Sequence, residues 1–147
     1  MGIKLNQKMK TSVHFIASAI LAVALYPVFN WKALLILIGG FLIDVDHYFW
    51  YVCKYKNFNL IKSYEFFMKN LKLNDFTNVT GILLIFHTIE FFLIMLLLSF
   101  YNEFALIFTI GLLSHYLLDF IWFYFILKRF MLNHSVIWWI IKNKQKV

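Results

Sequence analysis

Residues 105–127 read ALIFTIGLLSHYLLDFIWFYFIL, twenty-three positions without a single Lys, Arg, Asn or Pro. A helix crosses the hydrocarbon core of a bilayer with about 20 predominantly apolar residues, so this stretch places the chain in the membrane class. Three further stretches of similar character, residues 11–29, 33–53 and 79–101, lie upstream. Together they predict an all-α integral membrane protein, a bundle of four transmembrane helices forming a single membrane domain over residues 1–147. The composition agrees: 63% of the 147 residues are hydrophobic and 14% charged, against about half and a quarter in soluble domains.

Two segments outside the spans are amphipathic. Over residues 58–73, Leu60, Tyr64, Phe67 and Leu71 recur at helical spacing, with Lys62, Glu65, Lys69 and Lys72 on the other face. That pattern predicts a helix lying in the membrane plane. A second interfacial helix is expected over residues 130–142, where Ile137, Trp138, Trp139 and Ile140 sit between basic ends.

The net charge of +7 does not point to nucleic acid, because the basic residues fall in clusters between apolar stretches and form no continuous face. Three precede the first span, five separate the second from the third, and five follow the fourth. The positive-inside rule therefore predicts a multi-pass cell-membrane protein with both termini and residues 54–76 in the cytoplasm. Lys4, Lys8 and Lys10 before an apolar run that reaches Ala22-Val-Ala24 have the outline of a secretory signal, and retention as the first span is the expectation. Asn6 stands where a myristoylation motif needs Ser or Thr. The lone Cys53 excludes an internal disulfide and a CxxC motif.

The anomaly is inside the spans. Four of the seven acidic residues (Asp44, Asp46, Glu90, Asp119) and four of the five histidines (His14, His47, His87, His115) fall there. Each ionisable group at mid-bilayer costs about 2.5–3.5 kcal/mol on insertion scales, so the set must face one another, water or a cation. Helical spacing pairs them: Asp44 with His47, His87 with Glu90, His115 with Asp119, while His14 joins from the first span. At 1.5 Å of rise per residue, most of them fall roughly 6–15 Å below the cytoplasmic edge, with His115 and Glu90 somewhat deeper.

Mixed His and carboxylate donors on facing helices suit one or two divalent ions, Zn by preference, with Mn or Fe also matching. The expected ligands are His14, Asp44, His47, His87, Glu90, His115 and Asp119, with Asp44 or Glu90 as general base towards metal-activated water. Asp46 points away from Asp44 on a regular helix. It either orients a ligand, the preferred reading, or is itself a ligand at a local break after Gly39-Gly40. His134 lies outside the spans and is a weaker candidate.

Gly40-Phe-Leu-Ile-Asp44-Val-Asp46-His47 and Gly111-Leu-Leu-Ser-His115-Tyr-Leu-Leu-Asp119 resemble motifs of the membrane-bound metal-dependent hydrolases, also described as LexA-binding, inner-membrane-associated hydrolases. The resemblance spans about His14 to Asp119, and its last motif is similar to a ligand pair of zinc-dependent phospholipases C. It departs at Ile43, where that family favours proline, and at Phe86-His87-Thr88-Ile89-Glu90, which replaces a segment usually holding two histidines. It implies a hydrolase of phosphoesters, of the phospholipase kind, and the depth of the polar set below the cytoplasmic edge adds membrane lipids as the expected substrates and partners. The competing expectations are a di-iron membrane oxidase or desaturase, a haem protein, and a metal or proton carrier without chemistry.

Overall fold

The computed structural model describes residues 11–73, 83–126 and 135–144, and among these there are helices and no strand. Helix α1 (Thr11–Phe29) is nineteen residues long, about 28 Å at 1.5 Å per residue. It ends at Asn30, which takes a left-handed backbone with φ of 52°, a conformation that asparagine tolerates better than most residues. A single 3-10 turn, Asn30–Ala33, then reverses the chain into α2 (Leu34–Gly40), which packs back on α1.

The predicted second span, 33–53, is not one helix. It breaks at Phe41 (φ −132°, ψ −48°), passes through a 3-10 turn at Leu42–Asp44 and resumes as α3 (Val45–Tyr55). The hydrogen bonds give the reason. In a continuous helix the Gly40 carbonyl would accept from the Asp44 amide, but that amide bonds to Phe41 instead. The freed Gly40 carbonyl lies 2.9 Å from His115 Nδ1. Irregular backbone is tolerated at membrane depth where protein groups satisfy it in this way.

α4 (Leu60–Leu73) follows as the predicted amphipathic helix, with the Asn59 side chain accepting from the Lys62 amide at its start. Its Phe66 and Phe67 pack on Trp50, Tyr51 and Tyr55 of α3, and Phe67 meets the edge of the His47 ring. The predicted third span, 79–101, also departs from one helix, and its residues 79–82 lie outside the described residues. Ile85–His87 forms a 3-10 turn, Thr88 is extended, and α5 (Ile89–Ser99) begins only there, with Thr88 Oγ1 accepting from the Phe91 amide. Eleven residues rise about 16 Å, roughly half the hydrocarbon thickness.

α6 (Glu103–Ile121) is nineteen residues long, capped by Asn102, and runs into a π-helical turn at Trp122–Ile126. α7 (Val136–Lys144) covers most of the expected tail helix; residues 130–134 of that expectation lie outside the described residues.

α6 is the hub, contacting α1, α2 and α5. Its closest partner is α2, and the approach depends on glycine. A Cβ on Gly39 would lie 2.2 Å from the Phe108 carbonyl oxygen, and one on Gly111 2.4 Å from that of Ile36. Small residues at such crossings let helix backbones meet closely, the usual device where lipid supplies no hydrophobic drive. Ala22, Ala33, Ile36 and Ile107 form the core behind this contact.

Around that small core, Ile20, Val23, Val28, Ile94, Leu97, Phe100 and Leu117 stand exposed. So extensive an apolar surface would be a liability in water. Two helical stretches among the described residues, Thr11–Tyr55 and Glu103–Ile121, are long and apolar enough to cross a membrane; Ile89–Ser99 is apolar but shorter.

Candidate metal centre

Four separate elements deliver titratable side chains to one end of the bundle. His14 comes from the first turn of α1, Asp44, Asp46 and His47 from the α2–α3 break, His87 from the 3-10 turn before α5, and His115 and Asp119 from successive turns of α6. The end opposite carries Lys32 paired with Glu103.

The centre of the cluster is a triangle. His87 Nε2 and His115 Nε2 are 3.2 Å apart, and Asp44 Oδ1 lies 3.4 Å from the first and 3.6 Å from the second. Donors bound at about 2.0–2.1 Å around a tetrahedral ion stand about 3.3–3.4 Å from one another, so this face has the size such an ion needs. The outer ring nitrogens fix the tautomers. His115 Nδ1 faces the Gly40 carbonyl, and His87 Nδ1 lies 3.0 Å from Asp46 Oδ2. Both partners are acceptors, which places the N–H groups on Nδ1 and leaves both Nε2 lone pairs directed at each other and at the Asp44 carboxylate. A proton between two of these atoms relieves one facing pair; a divalent cation relieves all three.

Asp119 extends the cluster, with Oδ2 3.3 Å from His115 Nε2 and Oδ1 3.4 Å from His14 Nε2. The His14 ring stacks on His115 at 3.9 Å between centroids. On the other side His47 Nδ1 lies 3.0 Å from Asp46 Oδ1 and 3.6 Å from Asp44 Oδ1. His115 is fully buried, whereas the side chains of Asp44, Asp119 and His47 are 24%, 25% and 28% exposed, so solvent reaches the cluster at these three residues.

Glu90 is not part of this cluster. Its carboxylate accepts hydrogen bonds from the Ser135 hydroxyl and from the Val136 and Ile137 amides, capping the first turn of α7. The three-residue spacing from His87 would bring the two together only on one helix, and the helix starts after Thr88. Glu90 is thereby removed from the expected ligands and from the general-base candidates. Asp46 lies with one oxygen 3.0 Å from His87 Nδ1 and the other 3.0 Å from His47 Nδ1, just past the backbone break that the alternative reading required.

Sequence reasoning passed over Tyr116. Its hydroxyl donates to the Phe86 carbonyl at 2.6 Å and lies 3.3 Å from that of Thr88, while Asp46 Oδ2 accepts from the Phe86 amide at 3.1 Å. These bonds hold the turn that presents His87. The available signal was a tyrosine in mid-span, whose hydroxyl requires a partner where water is scarce. Tyr116→Phe is expected to destabilise the fold by about 1–3 kcal/mol through the orphaned carbonyl. It should also weaken zinc binding by about 10-fold, as loss of an orienting group does; thermal unfolding with and without zinc measures both.

A scan of family models, a search of curated proteins and a search of solved structures each return no match to this chain.

Proposed function

We propose that the chain is a membrane-embedded, metal-dependent hydrolase that cleaves a lipid phosphoester at the cytoplasmic leaflet. The observation that carries this reading is the triangle of His87 Nε2, His115 Nε2 and Asp44 Oδ1, two imidazoles and a carboxylate with tautomers set from behind. Three protein donors leave a coordination position open, the arrangement of catalytic rather than structural zinc sites. A divalent ion held there supplies Lewis acidity, lowering the pKa of water towards 7 and polarising a phosphoryl oxygen.

The residues of the chain do the rest. Gly40 and Asp46 hold the two rings in register, and Tyr116 holds the backbone of His87. Asp119, partly exposed and 3.4 Å from His14, is placed to take the proton from attacking water as the phosphorus–oxygen bond to the leaving group breaks. With Glu90 committed to α7, Asp44 serves as a ligand.

The α1–α2 and α5–α6 pairs, with their exposed apolar flanks, support a bundle of four spans. The thirteen basic residues outside the connection after the first span support a cytoplasmic mouth. α4 and α7 then lie in the interface, and Lys54, Lys56 and Lys62 attract anionic headgroups. A lipid reaches such a site with its phosphate already near the correct depth, so the membrane supplies orientation. Reporters fused after Asn30 and Asn102 are expected to read the outer side; a cytoplasmic reading from either removes the shared-depth geometry.

Two imidazoles and a carboxylate are also the donor set of non-haem iron oxygenases. The separating experiment incubates protein in liposomes with labelled phospholipids and isoprenoid phosphates, following release of phosphate or phosphorylated headgroup. Zinc-dependent release that chelation abolishes and zinc restores supports hydrolysis. Loaded protein that turns over nothing in the panel, yet consumes dioxygen with iron, supports the oxidase. A haem does not fit, since 3.2 Å between the facing Nε2 atoms leaves no room for a porphyrin plane.

A further inference from the structure

The triangle uses neither the outer oxygen of Asp46 nor His47, and these two groups have no account in it. Asp46 Oδ1 and His47 Nδ1 approach to 3.0 Å, yet both are buried and neither makes a hydrogen bond. The Asp46 side chain is 9% exposed and its other oxygen is engaged with His87 and the Phe86 amide. The two atoms meet as an ion pair outside hydrogen-bonding geometry, so part of the cost of burying a carboxylate oxygen beside a ring nitrogen stays uncompensated, and a cation between them would offset it.

From this placement we infer that Asp44, Asp46 and His47 hold a second divalent cation beside the first, with the Asp44 carboxylate shared between the two. The inference rests on the metal-dependent reading of the neighbouring triangle and extends it. The distances suit it: ligands at about 2.1 Å from an ion stand about 3.0 Å apart at right angles and about 3.6 Å apart at 120°. These are close to the separations of His47 Nδ1 from Asp46 Oδ1 and from Asp44 Oδ1. Asp44 Oδ1 lies within 3.6 Å of His47, His87 and His115 alike, the position a bridging carboxylate requires.

The break at Phe41 is what makes the second position. On an uninterrupted helix Asp44 and Asp46 point about 160° apart, whereas here, past the 3-10 turn, both carboxylates lie within 3.6 Å of His47 Nδ1. Two adjacent ions clamp the attacking and leaving oxygens of a phosphoryl group together, so the second position narrows the substrate class to phosphoesters over carboxylic esters. His47 is also the ring that Phe67 of α4 covers at 4.9 Å, which puts the second ion nearest the interfacial helix.

The test titrates full-length detergent-purified protein, stripped by chelation, with Zn(II) and with Mn(II), and counts bound ions by equilibrium dialysis with elemental analysis. Wild type is expected to bind two per chain, and His47→Ala one, with affinity for the second lowered by at least about 100-fold. Mn(II)-loaded wild type is expected to show the spin-coupled spectrum of two carboxylate-bridged ions, a readout that needs no variant to fold. One ion per chain, lost in His115→Ala and untouched in His47→Ala, overturns the second position and leaves the first. No ion in wild type overturns both. Two ions with an uncoupled spectrum, or two retained in His47→Ala, overturn this assignment.

Discussion

His115→Ala is expected to abolish stoichiometric zinc binding and to lower turnover by several orders of magnitude. This ring is completely buried, and its Nε2 lies within 3.6 Å of Asp44, His87 and Asp119 together. Losing a group that merely orients a ligand costs about 10–100-fold in affinity, and His115 is proposed as a direct donor, so its loss is expected to exceed that range. Alanine also leaves a void beneath His14, which stacks on it, and orphans the Gly40 carbonyl. The measurement is zinc content after gel filtration, paired with thermal unfolding in detergent. Folded protein lacking zinc is the expected outcome; folded protein with one zinc per chain would place the ion elsewhere.

The second large effect runs against ordinary propensity. Replacing glycine by alanine inside a helix normally stabilises by about 0.5–1 kcal/mol. Gly39→Ala is expected to destabilise by about 3 kcal/mol or more, at the upper end of overpacking penalties. The added Cβ would sit 2.2 Å from the Phe108 carbonyl oxygen and 3.0 Å from the Leu112 amide nitrogen. Both contacts are backbone, so relief requires α2 and α6 to separate. That separation carries the next residue with it, and the carbonyl of Gly40 is what holds His115 in its tautomer. A fall in thermal midpoint together with weaker zinc binding is the expected result, read by unfolding at several zinc concentrations. Stability equal to wild type would mean that the two helices do not cross this closely.

Much of the site was legible because helical spacing survives wherever the helix does. His115 and Asp119, one turn apart on α6, stand 3.3 Å apart as that spacing requires. His14 could be assigned to the same level because α1 is regular from Thr11 onward. Glu90 failed for the converse reason. Its pairing with His87 assumed a helix through residues that instead form a 3-10 turn and an extended cap. The Phe41 break was open only as an alternative reading after Gly39-Gly40, since a hydropathy pattern registers which side chains are apolar but not that a backbone carbonyl will bond to a histidine 75 residues away. The paired glycines marked the place without revealing that the helix would bend to bring Asp44, Asp46 and His47 together.

Zinc K-edge X-ray absorption on the purified protein reads whether His87, His115 and Asp44 bind an ion. Four to six nitrogen and oxygen neighbours at about 2.0–2.2 Å are expected, with the outer-shell scattering of at least two imidazole rings and no sulfur. The imidazole signal should disappear in His87→Ala/His115→Ala. Oxygen-only scattering in wild type, or an imidazole signal that survives in the double variant, would contradict binding by these residues.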